Sequence, residues 1–153
     1  MIGLIQRVLE ASVTVDGEEV GSIDRGLLAL VAVEPGDDEA SARQLVDRML
    51  AYRVFDDGQG RMNLSLTDVA GDLLLVSQFT LAADTRKGLR PSFTSAAPPA
   101  LGRELFARAV DHARAVFQGK VATGRFGANM KVALINDGPV TFWLQIPTPA
   151  ATE

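Results

Sequence analysis

The chain has 153 residues, 47% of them hydrophobic and 22% charged, which suits one domain with a buried core and argues against disorder. It has no cysteine and one histidine, His112, so a thiolate nucleophile, an iron–sulfur cluster, a zinc ribbon and a multi-histidine metal site are excluded. The net charge of −4 and the pI near 5.0 argue against a broad basic face for nucleic acid, but they allow a local basic cluster.

No segment has the pattern of a membrane anchor or a leader. The longest apolar run, residues 27–33, is too short to span a bilayer. The first ten residues carry Arg7 within their apolar stretch and have no cleavage-site pattern, so they do not resemble a signal peptide. We therefore expect a cytoplasmic protein without a membrane partner. We expect a single domain over residues 1–146 and a flexible tail over residues 147–153, which are rich in Pro, Ala and Thr.

The first third of the chain has strand patterns. Residues 2–8 are rich in apolar side chains, and residues 12–15 alternate with a period of two. The dipeptide Asp16-Gly17 is typical of a tight hairpin turn. Residues 27–33 are continuously apolar, which predicts a buried strand that ends before Pro35-Gly36.

A helix is predicted next, capped by Asp37-Asp38. Its apolar positions recur at helical spacing, and they are Leu45, Val46, Met49 and Leu50. Residues 53–55 predict a short strand, and residues 73–76 predict a fully buried strand that runs into Ser77.

A second helix is predicted after Pro98-Pro99, and it includes His112, which is typical of a helix surface or boundary. Its predicted buried stripe is Leu101, Leu105, Phe106, Ala109, Val110, Ala113, Val116 and Phe117. Two last strands, residues 132–135 and 140–146, are predicted to be joined through residues 136–139. The element order indicates an α+β fold with two main helices and a largely antiparallel, barrel-like sheet.

Hydrogen-bonding side chains appear where the strand at residues 73–76 should leave the core. They belong to Ser77, Gln78 and Thr80, with Phe79 between them. Strand ends are places where a scaffold exposes reactive groups and free backbone N–H donors. On spacing alone, a simple transition from strand to loop is the favoured interpretation. No general base lies nearby in sequence, so a serine nucleophile would need a partner brought in by folding.

The segment 136–141 contains the second candidate, Gly138-Pro139. A plain hairpin is one interpretation, because Asp137-Gly138 is a strong turn dipeptide. Pro139, however, stands where the return strand begins, and it cannot donate to a strand ladder. A rigid Gly-Pro bend that presents its carbonyls would suit a small cationic amine.

Two further loops have binding patterns. Residues 84–91 place Arg86, Lys87 and Arg90 in a loop with Gly and Pro, which suits a phosphate clamp or a solvated surface loop. In residues 123–130, two glycines flank Phe126, which suits an exposed aromatic ring with Met130 as a pocket wall. A core phenylalanine in a tight turn is the alternative.

Taken together and in this order, these motifs closely resemble the D-aminoacyl-tRNA deacylase family, also called D-Tyr-tRNA deacylase. The resemblance extends from Met1 to about Ile146. It is carried by residues 6–8, 62–66, 77–81, 84–88, 90–93, 123–127 and 136–141.

The resemblance implies a homodimer with its active site at the subunit interface. Ser77, Gln78, Phe79 and Thr80 would come from one subunit as catalytic residues. A cis Gly-Pro turn of the other subunit, here Gly138-Pro139, would hold the substrate's α-amino group with two carbonyls. Arg7 would brace this turn, and Phe126 and Met130 are further candidates for substrate binding. No metal and no cofactor are expected.

The implied reaction is hydrolysis of the ester between a D-amino acid and the terminal adenosine of tRNA. The turn would leave no room for an L side chain, and it would not exclude glycine. The neighbouring ribose 2′-hydroxyl would take part in activating the water, and backbone N–H groups near Phe79 and Thr80 would stabilise the oxyanion. Covalent attack by Thr80 is the second mechanism.

Two rival functions remain. The first is a non-catalytic module that binds tRNA 3′ ends, with Phe79 and Phe126 as stacking platforms. The second is a relative that removes a mischarged L-amino acid, which would need a different turn at Gly138-Pro139.

Overall fold

The structure is a computed structural model, and it describes residues 1–149. Two helices and eight strands make up its regular structure, with a short 3₁₀ helix at Phe79–Ala82. The strands are β1 (Ile2–Val15), β2 (Glu18–Ile23), β3 (Gly26–Ala32), β4 (Phe55–Asp56), β5 (Met62–Leu64), β6 (Asp72–Ser77), β7 (Val121–Thr123) and β8 (Lys131–Gln145). The helices are α1 (Glu39–Ala51) and α2 (Pro99–Val116).

Strand β1 organises the sheet, because it pairs with three other strands. It pairs antiparallel with β3 through its first half, with β2 through its second half, and with β8 along most of its length. The predicted turn at Asp16-Gly17 joins β1 to β2, and both of its residues have the positive φ that such a turn requires.

The sheet has the order β2-β1-β3-β6-β7, with β8 on β1, and its two ends approach each other. A Cβ atom on Gly21 of β2 would lie only 2.4 Å from the carbonyl oxygen of Thr123 in β7, so this contact requires glycine. The result is a nearly closed barrel. Its pairings are antiparallel except at β6, which runs parallel to both β3 and β7.

The predicted break between the last two strands is wrong, because residues 131–145 form the single strand β8. Gln6 of β1 pairs with Thr141, and Val8 pairs with Asn136. Four residues of β8, 137–140, therefore stand opposite the single position Arg7 of β1, which makes them an enlarged bulge rather than a hairpin turn. The sequence offered a plain hairpin as one interpretation because Asp-Gly is a strong turn dipeptide.

Helix α1 begins as predicted, with Asp38 as its N-cap. The Asp38 carboxylate accepts a hydrogen bond from the Ser41 N–H at 2.9 Å, and the Ser41 hydroxyl accepts one from the Asp38 N–H at 3.2 Å. This capping box satisfies N–H groups that a helix end leaves free. The predicted apolar stripe of α1 is buried.

Helix α2 buries most of its predicted stripe against the sheet, but Val116 is 50% exposed. Val116 is the last residue of the helix, and the next residue, Phe117, supplies the buried side chain at this end. The short strand predicted at residues 53–55 is also displaced, since β4 is Phe55–Asp56 and pairs with β5.

Two large apolar clusters fill the molecule, and a small third one consists of Ile2, Ala32 and Ala82. One lies between the sheet and the helices, and it includes Leu27 and Leu73. The other fills the barrel, its buried members all come from strands, and it includes Leu28 and Leu74. Consecutive residues of β3 and β6 thus face opposite sides, as the pleat of a strand requires.

The amino terminus is buried beside the sheet. The Met1 ammonium donates to the carboxylates of Glu34 and Asp37 at 2.8 and 2.9 Å, and to the Ile146 carbonyl at 2.8 Å. Residues 147–149 of the predicted tail are exposed and have no regular secondary structure, and the rest of that tail lies outside the described residues. Neither helix of the described chain is long and apolar enough to cross a membrane.

Candidate functional site

The predicted strand end at Ser77 lies at the surface of the molecule. Residues 73–76 of β6 are buried, Ser77 and Gln78 are half-buried, and Phe79 and Thr80 are exposed. The Gln78 N–H donates to the Val31 carbonyl at 2.7 Å, so the sheet holds the chain up to this point. The strand therefore delivers these four residues from the core to solvent in one fixed position.

The 3₁₀ helix that follows leaves two backbone donors free. Within it, the Leu81 N–H donates to the Gln78 carbonyl and the Ala83 N–H to the Thr80 carbonyl, each at 3.2 Å. The N–H groups of Phe79 and Thr80 have no acceptor among residues 1–149, as expected at the start of a helix. Two adjacent unsatisfied donors at the surface can bind an oxyanion.

Two pairs of side chains complete the surface around these donors. The Gln78 amide donates to the Thr80 hydroxyl. The Phe79 ring, 62% exposed, lies 5.2 Å from the ring of Phe93, with a 52° angle between the planes. An exposed pair of this kind offers an apolar face for a planar group.

The bulge in β8 presents Gly138 and Pro139 to solvent. Both residues are exposed, and the peptide bond between them is cis. Gly138 has a φ of +147°, and a Cβ atom there would lie 2.5 Å from a methyl group of Val140, so this position requires glycine.

The Asn136 side chain closes the base of the bulge. Its Oδ1 accepts from the Val140 N–H at 2.7 Å, and its Nδ2 donates to the Thr141 hydroxyl at 3.0 Å. A single amide thus holds both ends of the bulge. The sequence analysis did not assign this role to Asn136, although a side chain with both a donor and an acceptor at the start of the segment was the available signal.

Arg7 packs against the same bulge from β1. Its Nε donates to the Asp137 carbonyl at 2.9 Å, and its Nη1 donates to the Val54 carbonyl at 2.6 Å. The Asp137 carboxylate lies 3.6 Å from Nε, and the Arg7 side chain is 14% exposed. Arg7 therefore connects the bulge to the segment after α1, a link that the sequence pattern could not reveal because Val54 contributes only backbone.

The strand end and the bulge do not meet within one chain. Ser77 pairs with Val31, which pairs with Gly3, whereas the bulge lies opposite Arg7. Four residues of β1 correspond to about 13 Å, and β8 lies on the other edge of β1 from β3 and β6. The two motifs therefore lie at separate places on the surface of one chain.

Phe126 and Met130 lie in the loop between β7 and β8. The Phe126 ring is half-buried near the Phe106 ring of α2, with 6.2 Å between centroids, and the Arg103 guanidinium lies 4.7 Å from its centroid. Met130 packs on the cluster inside the barrel. These contacts favour the packing interpretation of Phe126 over the exposed one, because α2 covers much of its ring.

Comparison with known families identifies the chain. The sequence model of the family described as D-Tyr-tRNA(Tyr) deacylase matches residues 4–145. The chain belongs to this family. The match includes both the strand end and the bulge.

Members of the deacylase family from two bacteria are close in sequence. The D-aminoacyl-tRNA deacylase of Thioalkalivibrio sulfidiphilus is 62% identical over 149 residues, which cover 97% of this chain and 99% of that protein. The D-aminoacyl-tRNA deacylase of Pseudomonas fluorescens (strain Pf0-1) is 64% identical over 145 residues, which cover 95% and 99%.

Two solved structures share the fold. A protein described as c-Myc DNA unwinding element binding protein superimposes with a TM-score of 0.91 at 35% identity, covering 96% of this chain and 99% of its own. A probable eukaryotic D-amino acid tRNA deacylase superimposes with a TM-score of 0.81 at 18% identity, covering 95% and 98%. The second likeness establishes the fold alone.

His112 is remote from the motifs that this deacylase family member presents. Its Nε2 lies 2.7 Å from the Asp47 carboxylate, so the pair joins α2 to α1 on the outer face. Within residues 1–149, no group of three or more His, Cys, Asp or Glu side chains is gathered closely enough to hold a metal ion.

Proposed function

We propose that this chain hydrolyses the ester bond of D-aminoacyl-tRNA and releases a free D-amino acid and tRNA. Membership of the deacylase family and the names of the two bacterial relatives support this reaction. The observation that carries the mechanism is the pair of free N–H groups at Phe79 and Thr80, exposed at a rigid strand end. The reaction needs a donor pair of this kind at the developing oxyanion.

Water attacks the carbonyl carbon of the ester, and the two N–H groups bind the resulting oxyanion. The bond to the ribose 3′-oxygen then breaks, and that oxygen takes up the proton that water released. The neighbouring 2′-hydroxyl of the terminal adenosine activates the water. The site segment itself contains no His, Asp or Glu at residues 77–80, which favours assistance by the substrate.

The site is completed by a second copy of the chain, so the active species is a homodimer. The bulge of one copy brings the carbonyls of Gly138 and Pro139 to the strand end of the other, where they accept hydrogen bonds from the α-ammonium group of the substrate. The separation of the two motifs within one chain supports this arrangement. Solvent exposure of the turn also supports it.

Stereochemical selection follows from the same turn. With the ammonium held there, an L side chain would point into the turn and is rejected, whereas a D side chain points outwards. D-amino acids of many kinds are therefore substrates, and glycine, which has no side chain, is hydrolysed as well. Aminoacyl-tRNA is made in the cytoplasm, so the enzyme acts there.

A non-catalytic module that binds tRNA 3′ ends is the second candidate, and the exposed Phe79–Phe93 pair favours it. One experiment separates the two. Incubation with D-Tyr-tRNA and L-Tyr-tRNA should release tyrosine from the D-ester only, and the rate should be unchanged by a chelator. Binding without turnover would establish the module, and turnover of both esters would refute the stereochemical selection.

The dimer is tested by sedimentation of the active protein. The expected species has twice the chain mass of 16.3 kDa. Full activity in a species of single-chain mass would refute a site shared between two copies.

A further inference from the structure

The loop that follows the 3₁₀ helix is closed by a pair of backbone hydrogen bonds between its two ends. The N–H of Asp84 donates to the Ser92 carbonyl at 2.7 Å, and the N–H of Ser92 donates to the Asp84 carbonyl at 3.1 Å. Residues 85–91 between them are all exposed, and Gly88 takes a φ of +71° near the tip. We call residues 84–92 the basic loop.

The three cations of the basic loop are not equivalent. The Asp84 carboxylate binds the Arg86 guanidinium through Nε at 2.9 Å and Nη2 at 2.8 Å, and it also accepts from the Arg86 N–H at 3.0 Å. Hydrogen bonds from Arg86 lower the pKa of Asp84 to about 2, so the pair stays charged at neutral pH. Lys87 and Arg90 make no ion pair within residues 1–149.

The basic loop stands directly beside the strand end. It begins two residues after the 3₁₀ helix, and Phe93 at its far side contacts Phe79 with 5.2 Å between centroids. With one carboxylate and three cations the loop carries a net charge of +2, on a chain whose total is −4. The loop is thus a local region of positive charge beside the strand end.

We propose that Lys87 and Arg90 bind backbone phosphates of the single-stranded 3′ end of the substrate RNA, while the Asp84–Arg86 pair fixes the shape of the basic loop. This role rests on the proposed function, since it names how the same site holds its polyanionic substrate. Phosphate contacts position a nucleic acid without reading its sequence. Two exposed cations without an ion-pair partner within residues 1–149, three residues apart in one loop, suit two phosphates of a single strand.

In the test, the wild type and the double variant Lys87→Ala/Arg90→Ala are each assayed on two substrates. D-Tyr-tRNA carries the phosphates, and D-Tyr-adenosine carries the same ester without them. We expect the variant to lose kcat/KM with the tRNA through a higher KM, and to match the wild type on the adenosine ester. The slope of log kcat/KM against log salt concentration should be less steep by about 1.4, which corresponds to two single-strand phosphates.

The matched control is Arg48→Ala/Arg61→Ala, which removes two exposed cations elsewhere and should leave both substrates unaffected. An unchanged salt slope for the loop variant, or an equal loss on both substrates, would overturn the phosphate role. If the wild type hydrolyses neither ester, the proposed function fails. In that case, titration with an oligonucleotide of the tRNA 3′ end that carries no amino acid, at several salt concentrations, still decides whether Lys87 and Arg90 bind phosphate.

Discussion

At the scale of single residues, the proposed site depends on backbone groups that side chains hold in place. Phe79 and Thr80 offer their N–H groups, while the Thr80 hydroxyl is engaged by the Gln78 amide. Similarly, the bulge offers backbone carbonyls rather than reactive side chains, and hydrogen bonds of Asn136 and Arg7 hold its backbone in place. Substitutions at this site should therefore be interpreted by what they do to the backbone.

Thr80→Ala separates the two mechanisms. Because the change spares the Thr80 N–H, we expect kcat to fall by less than the roughly 10²–10³-fold typical of a lost oxyanion donor. Wild-type enzyme should hydrolyse a 2′-deoxy substrate far more slowly, with binding retained. Single-turnover rates measure both effects. A dead Thr80→Ala enzyme, beside a wild type that is indifferent to the 2′-hydroxyl, would establish Thr80 as the nucleophile.

Asn136→Ala tests whether the hydrogen bonds of the Asn136 amide hold the shape of the bulge. The substitution leaves the Val140 N–H without its acceptor and frees one end of the bulge. We expect kcat/KM for D-Tyr-tRNA to fall on the order of 10- to 100-fold, because small displacements of positioning groups carry costs of that size. Asn136→Asp, which keeps the acceptor, should retain more activity.

Asn129→Ala is the matched control for that change, since Asn129 is exposed and its side chain makes no hydrogen bond within residues 1–149. Steady-state kinetics with thermal unfolding of each variant give the comparison. Equal activity of the Asn136→Ala and Asn129→Ala proteins would show that the bulge keeps its shape without the hydrogen bonds of Asn136.

At the scale of elements, the sequence predicts those turns and helix ends that contacts between neighbouring residues determine. The turn at Asp16-Gly17 and the start of α1 at Asp38 are set by neighbouring residues, and both are observed as predicted. The continuity of β8 is set by β1, more than one hundred residues earlier, and a local Asp-Gly signal suggested a break instead. The parallel arrangement of β6 also depends on distant partners.

The candidate site likewise has features that local sequence predicts and features that depend on distant contacts. The strand end at Ser77 could be predicted because polar residues follow a fully apolar run. The roles of Asn136 and of the Val54 carbonyl could not, because they appear only when the chain has folded around the bulge. For Phe126 the sequence left an exposed ring and a core ring as alternatives, and only its packing near Phe106 of α2 decides between them.

The capping box of α1 has a pH dependence that can be measured. Hydrogen bonds from the Ser41 N–H, and then from its hydroxyl, hold the pKa of Asp38 below its ordinary value of 3.8. A depressed folded-state pKa contributes stability that is complete above the unfolded-state value and is lost as the pH falls through the folded-state value. We therefore expect Asp38→Ala to lower the unfolding temperature at pH 7.

That difference between Asp38→Ala and wild type should shrink below pH 3.8 as the carboxyl group takes up its proton. Calorimetry at a series of pH values follows it, and deacylase activity at neutral pH should be unaffected because the cap lies outside the site. A difference that stays constant down to the lowest pH would show that the carboxylate charge is unimportant for the cap.

At the scale of the whole molecule, one buried ion cluster ties the beginning of the chain to its last strand. The Met1 ammonium contacts the Asp37 carboxylate, which is fully buried, and the Ile146 carbonyl. Asp37→Ala removes the buried partner of a buried charge, so we expect a loss of about 3–5 kcal/mol in the free energy of unfolding. Glu34→Gln, at a partner that is 20% exposed, should cost less. Denaturant unfolding measures both, and equal losses would contradict the role of burial.

The pairing of β1 with β8 also has a consequence for synthesis on the ribosome. Ile2 pairs with Gln145, so a strand made at the start must wait for one made near the end of the described chain. At about 5–20 residues per second, the interval is about 7–30 s. During this time one whole edge of β1 has no partner, and its apolar residues are open to chaperones and to neighbouring nascent chains.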